Sequence, residues 1–233
     1  YMKGIGKGDF RSEQVRALAI LFFVSILLIT AWRVWTSGEP VFEVLRHVAF
    51  SVVSVVTTTG YATVDYTTWG PFAATAFLVL TAMGGCSGST SGGAKMMRWL
   101  IMLRVLRIRF QRVRLPHSMD SPRYQGRVIG DDVVTGVMTF FVLYAITVFG
   151  LAVVLDLYEL DMMTSFSGAL TAVANVGPGI GSQIGPSGNF ANLPEGAKWW
   201  LSFGMYAGRL EMMTVYVLSV SYTHLTLPTI YSV

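Results

Sequence analysis

The chain has 233 residues, 53% of them hydrophobic and 13% charged, with a mean hydropathy of +0.55. Soluble domains carry about 25% charged residues, so the composition excludes an ordinary soluble domain and predicts a membrane protein. The net charge of +4 then reads as cytoplasmic loop charge rather than nucleic-acid affinity, and a single cysteine, Cys86, excludes an internal disulfide framework.

The chain opens at Tyr1 with neither an initiator methionine nor a signal-peptide pattern, so the 5′ part of the gene is expected to be missing. Residues 1–11, with Lys3, Lys7 and Arg11, read as a cytoplasmic stretch. Val15–Trp35 is an apolar helix with Trp32 and Trp35 as interface anchors; it spans roughly 30 Å, the hydrocarbon thickness. Val41–Thr57 is apolar but carries Glu43, Arg46 and His47 in its first half. It ends at three threonines and Gly60, which predicts a re-entrant pore helix followed by a loop.

Pro71–Met83 starts a third helix, which runs into "GGCSGSTSGGAK". A phosphate-binding loop needs a hydroxyl after its lysine and a strand before it; the order Gly92-Gly93-Ala94-Lys95-Met96 lacks the first, and no strand precedes it. A soluble linker does not suit a segment inside an apolar helix. A helix broken within the membrane remains, with a small-residue packing face on an intact helix as its alternative. Two Gly-Gly pairs favour the break, because each glycine destabilises a helix.

A segment rich in arginine follows, with Lys95, Arg98, Arg104, Arg107, Arg109, Arg112, Arg114, Arg123 and Arg127 against one acid, Asp120. Residues 100–131 are therefore predicted to be a basic cytoplasmic linker, not a nucleic-acid patch. The pattern then repeats. Val133–Leu155 is uncharged, Met162–Ala174 is short and apolar before "NVGPGIG", and Lys198–Leu218 is a further helix. An offset of 117 residues sets Gly60 over Gly177 and "SVVTTTGYA" over "TAVANVGPG", an internal repeat of helix, pore loop, helix. Glu39, Glu43, Asp65, Asp156, Glu159, Asp161 and Glu195 fall on the side opposite the basic segments, an acidic mouth that would concentrate cations.

Glycine permits the extended backbone whose carbonyls can replace an ion's hydration, so Gly60 and Gly177 are candidate filter residues, with Thr57, Thr58 and Thr59 as further oxygen donors. The alternative is that either glycine serves only a turn. Arg209 lies eleven residues after Lys198, roughly 16 Å deep, where a charge faces a cavity or a partner. Pairing with Glu211 or with carbonyls, for packing alone, is the alternative; Glu211 lies on a different helix face. His47, His117 and His224 form no ligand cluster with Cys86, so neither a metal centre nor an enzyme is expected.

Taken together, "SVVTTTGYATVDYTTW", "GGCSGSTSGGAK", "NVGPGIG", "GPSGNFANL" and "MYAGRLE" resemble the third and fourth repeats of a TrkH-type potassium transporter, in the Trk/Ktr/HKT superfamily, over nearly all of residues 12–219. The resemblance implies an all-α integral membrane fold: residues 12–99 as the third of four pore repeats and 132–219 as the fourth. It implies filter strands of Thr57, Thr58, Thr59, Gly60, Tyr61 and of Asn175, Val176, Gly177, Pro178. It makes 84–93 an intramembrane gate, with Gly84, Gly85, Gly88, Ser89, Thr90, Gly92 and Gly93 as its residues and Arg209 and Glu211 beside it. It further implies K+ as the transported ion with no covalent cofactor, a bacterial inner membrane, a homodimer, and a cytoplasmic NAD- or ATP-binding regulatory subunit. Sodium or sodium/potassium transport is the alternative within the superfamily; a membrane enzyme or assembly subunit is the alternative outside it. The end of the chain, "VSYTHLTLPT", looks like the translation of a transposon-end sequencing adapter, so 220–233 reads as an artefactual tail.

Overall fold

Two uninterrupted apolar runs form the longest helices. In the computed structural model, which describes residues 12–115, 122–181 and 183–210, these are α1 (Glu13–Ser37) and α5 (Asp131–Asp156), of 25 and 26 residues. Both are long and apolar enough to cross a membrane. Each extends past its apolar run by a polar turn. Asp131 and Asp132 open α5, where carboxylates complement the helix dipole, and Gly38 closes α1 in a left-handed conformation, its N–H on the Val34 carbonyl at 3.0 Å. Phe23, Leu28 and Trp35 of α1 are exposed. An apolar face directed outward suits lipid, not water.

The remaining helices are α2 (Val41–Val56), α3 (Pro71–Met83), α4 (Met96–Arg114), α6 (Met162–Ala174) and α7 (Glu195–Arg209), with a minimal hairpin of β1 (Arg123–Tyr124) and β2 (Arg127–Val128) between α4 and α5. The order is helix, short helix, loop, helix, twice over, as the repeat predicts. One core gathers Val48, Val52, Val55 and Phe77 from α2 and α3 under α1. The other gathers Tyr144, Leu151, Leu170, Val173 and Leu201 from α5, α6 and α7. The cores interlock: Ala174 and Val176 of the second repeat are buried in the first core, and Ala94 of the first repeat in the second.

The third helix does stop at Met83. Gly84, Gly88 and Gly93 take positive φ values of 72°, 87° and 73°, which a helix cannot accommodate. The chain makes a loop whose ends close on one another. A Cβ on Gly84 would lie 2.5 Å from the Gly92 carbonyl oxygen, and one on Gly93 2.9 Å from the Gly84 Cα. The Met96 N–H reaches the Gly85 carbonyl at 2.9 Å as α4 begins. The intact small-residue helix is not what forms.

Two expectations about extent change. Residues 96–114 form one helix across the boundary drawn at 99/100, because no glycine or proline interrupts them before Pro116. The last helix starts one turn before Lys198, where Pro194 supplies the preset entry and Glu195 favours the first turn. Residues 1–11, the remainder of the last helix beyond Leu210 and the tail at 220–233 lie outside the described residues.

Candidate functional site

The loops after α2 and α6 share one backbone pattern. Thr58 (φ 56°) and Asn175 (φ 55°) are both left-handed, and two residues later Gly60 (φ 79°) and Gly177 (φ 112°) both have positive φ. These positions match across the 117-residue offset. Both short helices point their partly negative C-termini at these loops.

A serine or threonine holds each loop against its helix. The Ser54 carbonyl accepts from the Thr59 and Gly60 N–H groups at 2.9 and 3.4 Å, and the Ser54 hydroxyl donates to the Tyr61 carbonyl at 2.6 Å. In the second repeat the Thr171 carbonyl accepts from the Val176 N–H at 3.1 Å, and its hydroxyl accepts from the Gly177 N–H at 3.0 Å. Ser54 and Thr171 occupy the same repeat position, and both are buried. Sequence reasoning passed over them, although the offset that pairs the glycines pairs these hydroxyls too.

The two loops meet back to back. A Cβ on Gly60 would lie 2.2 Å from the Val176 carbonyl oxygen and 3.3 Å from Pro178 Cδ. Only glycine admits that approach, and the positive φ adds a second reason. Thr57 bonds Val53 and Thr59 through its hydroxyl. The Tyr61 ring is exposed while its carbonyl is held by Ser54.

The broken helix packs directly on this assembly. The Gly92 N–H donates to the Thr58 hydroxyl at 3.0 Å, and a Cβ on Gly92 would lie 2.1 Å from the Ala174 carbonyl oxygen. Gly208 of α7 crowds the neighbouring carbonyl, with its Cβ position 1.9 Å from Val173 O. Asn175 donates from its side chain to the Met205 carbonyl at 3.1 Å. The loop's own polar groups find partners: Gly85 N–H on the Ser91 hydroxyl, the Ser89 and Ser91 hydroxyls on each other, and Ser87 N–H on the Gln14 side chain.

Arg209 joins the second repeat to this loop, donating from Nη1 to the Thr90 carbonyl at 2.5 Å. Together with Lys95 and Arg98 it lines a polar cavity of about 260 Å³ against the loop. Arg98 also lies over the Phe140 ring at 3.9 Å. A cation in this space faces three positive side chains. Thr57, Thr58, Thr59, Gly60, Asn175, Val176, Gly177, Pro178, Gly92, Gly93 and Arg209 are thus brought into one region. Gly84 and Gly85 are buried at the loop's root, and Gly88, Ser89 and Thr90 form its exposed tip. Glu211 lies outside the described residues. Among the described residues, no three His, Cys, Asp or Glu side chains gather to hold a metal.

The same architecture occurs in a solved protein. The crystal structure of the potassium transporter TrkH from Vibrio parahaemolyticus superposes with a TM-score of 0.84 and 26% identity, over 90% of this chain and 44% of that one. Among curated proteins, the Trk system potassium uptake protein TrkI of Halomonas elongata is 48% identical over 94% of this chain and 44% of its own length. The corresponding protein TrkG of Escherichia coli is 30% identical over 88% of this chain and 42% of its length. The chain therefore spans less than half the length of these relatives. The family model for TrkH, described as a cation transport protein, matches residues 14–224, which runs into the first residues of the stretch read as a tail. On this match, and on the fold, the chain is a membrane protein and belongs to the TrkH family of cation transport proteins, not to a family of enzymes.

Proposed function

We propose that these two repeats supply half of a potassium-conducting pore, the loops after α2 and α6 forming two of its filter strands and loop 84–93 with Arg209 its gate. The observation that carries the reading is the backbone match at Thr58/Asn175 and Gly60/Gly177, with Gly60 pressed on the Val176 carbonyl. A filter needs carbonyls held in fixed register around an ion, and the Ser54 and Thr171 bonds supply that rigidity. Potassium is favoured over sodium by the names of the relatives, Trk system potassium uptake proteins. The ion moves down its electrochemical gradient, and no bond-making chemistry is needed.

In this reading the Arg209–Thr90 bond holds the gate closed beneath the filter, and the positive side chains around the cavity raise the barrier to a cation. The complete protein acts as a homodimer in a bacterial inner membrane, with segment 100–131 in the cytoplasm and a cytoplasmic nucleotide-binding subunit, NAD or ATP, driving the gate.

The test is potassium flux and reversal potential in proteoliposomes of the complete gene product. Gly60→Ser places a side chain against the Val176 carbonyl, and the K+/Na+ permeability ratio should fall by about tenfold or more, as expected when 1.4 kcal/mol of discrimination is lost. Absence of potassium flux in the unaltered protein, or a Gly60→Ser protein with unchanged flux and ratio, overturns the proposal.

A further inference from the structure

The motifs "VDYTTW" and "GPSGNF" have no role in the filter or the gate as read above, yet they touch. Asp65 follows the first filter strand and Ser187 the second. Asp65 Oδ2 accepts from the Ser187 hydroxyl at 2.5 Å, and Oδ1 accepts from the Thr67 N–H at 2.9 Å and the Thr67 hydroxyl at 2.5 Å. One carboxylate thus takes three hydrogen bonds from two repeats.

Each side of this contact is anchored. Beside Asp65, Tyr66 is buried and stacks on Phe77 with ring centroids 4.0 Å apart. On the other side, Gln183–Gly188 is a tight turn: the Asn189 N–H reaches the Gln183 carbonyl at 3.1 Å, and a Cβ on Gly188 would lie 2.2 Å from that same oxygen. The Gly179 N–H bonds the Ile184 carbonyl at 2.7 Å, tying the turn to the strand that carries Gly177. A continuous path of short contacts runs from Phe77 through Asp65 and Ser187 to the second filter strand. Arg209–Thr90 ties the repeats on the gate side, and Asp65–Ser187 ties them on the opposite side.

We infer that Asp65 is a positioning residue for ion selectivity, a clamp that sets the distance between the two filter strands through Ser187. It acts by geometry: the neutral donors leave the carboxylate its charge but fix both of its oxygens between Thr67 and Ser187. Burial pushes the Asp65 carboxyl up, but the bonds from Ser187 and Thr67 outweigh it and hold the group below its ordinary value. The inference rests on the filter reading proposed above.

The experiment measures K+/Na+ permeability ratios from reversal potentials in proteoliposomes of the complete gene product, with folded yield followed alongside. Asp65→Ala should lower the ratio about tenfold, the scale of a lost hydrogen bond to a charged group. Asp65→Asn keeps an acceptor for Thr67 and can donate to the Ser187 hydroxyl, so its ratio should stay within about twofold of the unaltered protein. Ser187→Ala, a milder change that serves if Asp65→Ala folds poorly, should move the ratio in the same direction. The double variant should be no worse than Asp65→Ala alone, because both remove one contact. An Asp65→Asn ratio as low as that of Asp65→Ala overturns the clamp in favour of a charge. Unchanged ratios in both Asp65→Ala and Ser187→Ala also overturn it. Gly60→Ser is run in parallel: if it too leaves the ratio intact, the filter reading falls and the clamp with it; if it lowers the ratio while the Asp65 and Ser187 variants do not, the clamp alone falls.

Discussion

Gly92→Ala is the most direct test of the gate. The backbone of Gly92 is not left-handed, so alanine meets no conformational penalty there and the effect is steric. Its Cβ would stand 2.1 Å from the Ala174 carbonyl oxygen, with Asn175 Cβ at 3.1 Å. Carbon and oxygen need more than 3 Å, so the loop must withdraw from the pore helix by about 1 Å. The withdrawal breaks the Gly92–Thr58 hydrogen bond as well. Overpacking of this kind costs about 1–3 kcal/mol and the lost bond about 1 kcal/mol, together about 2–4 kcal/mol against the packed loop. If the packed loop is the closed gate, the open fraction rises between about 30-fold and several hundredfold until it saturates. Potassium-loaded proteoliposomes, assayed without any regulatory subunit, should therefore show raised basal flux, with the K+/Na+ ratio little altered because the filter strands keep their Ser54 and Thr171 bonds. A well-folded Gly92→Ala protein with unaltered or diminished basal flux would refute the argument that this contact closes the pore.

Other perturbations probe neighbouring parts. Arg209→Ala removes the bond to Thr90 and a positive charge from the cavity, so basal flux should rise; unchanged flux in proteoliposomes removes Arg209 from the gate. Thr171→Val keeps the shape but strips the Gly177 N–H of its acceptor, a loss of about 1–3 kcal/mol that should appear as a lower melting temperature together with a reduced K+/Na+ ratio. Asp65, held below its ordinary value of 3.8, adds stability that is full above that value and is lost as pH falls through the lower folded-state value. Thermal melts across the acid range should accordingly show Asp65→Asn losing less stability than the unaltered protein, and parallel acid curves would contradict this.

Hydropathy, glycine placement and one internal offset already determine much of this protein. Helices α1, α2, α3, α5 and α6 each follow from a run of apolar residues, and the ends of Pro71–Met83 and Met162–Ala174 are legible because proline, glycine and the capping Asp161 act on their immediate neighbours. The break after Met83 is legible for the same reason: clustered glycines are a local instruction. The offset pairing Gly60 with Gly177 anticipated a backbone match that extends to Thr58 and Asn175. The charge pattern of residues 100–131 suggested which solvent the segment meets but not that Met96–Arg114 is one helix, because charge placement carries no helical instruction of its own.

Tertiary structure decided which residues touch. That Gly60 backs onto Val176, that Gly92 and Gly208 crowd the adjacent carbonyls of Ala174 and Val173, and that Arg209 reaches Thr90 depend on how the two repeats are rotated against each other. So does the contact of Asp65 with Ser187, 122 residues apart in the chain. Local propensity carries no term for such distances. They are set by close packing of two interlocked cores, where a glycine is required by what lies opposite it rather than by what precedes it.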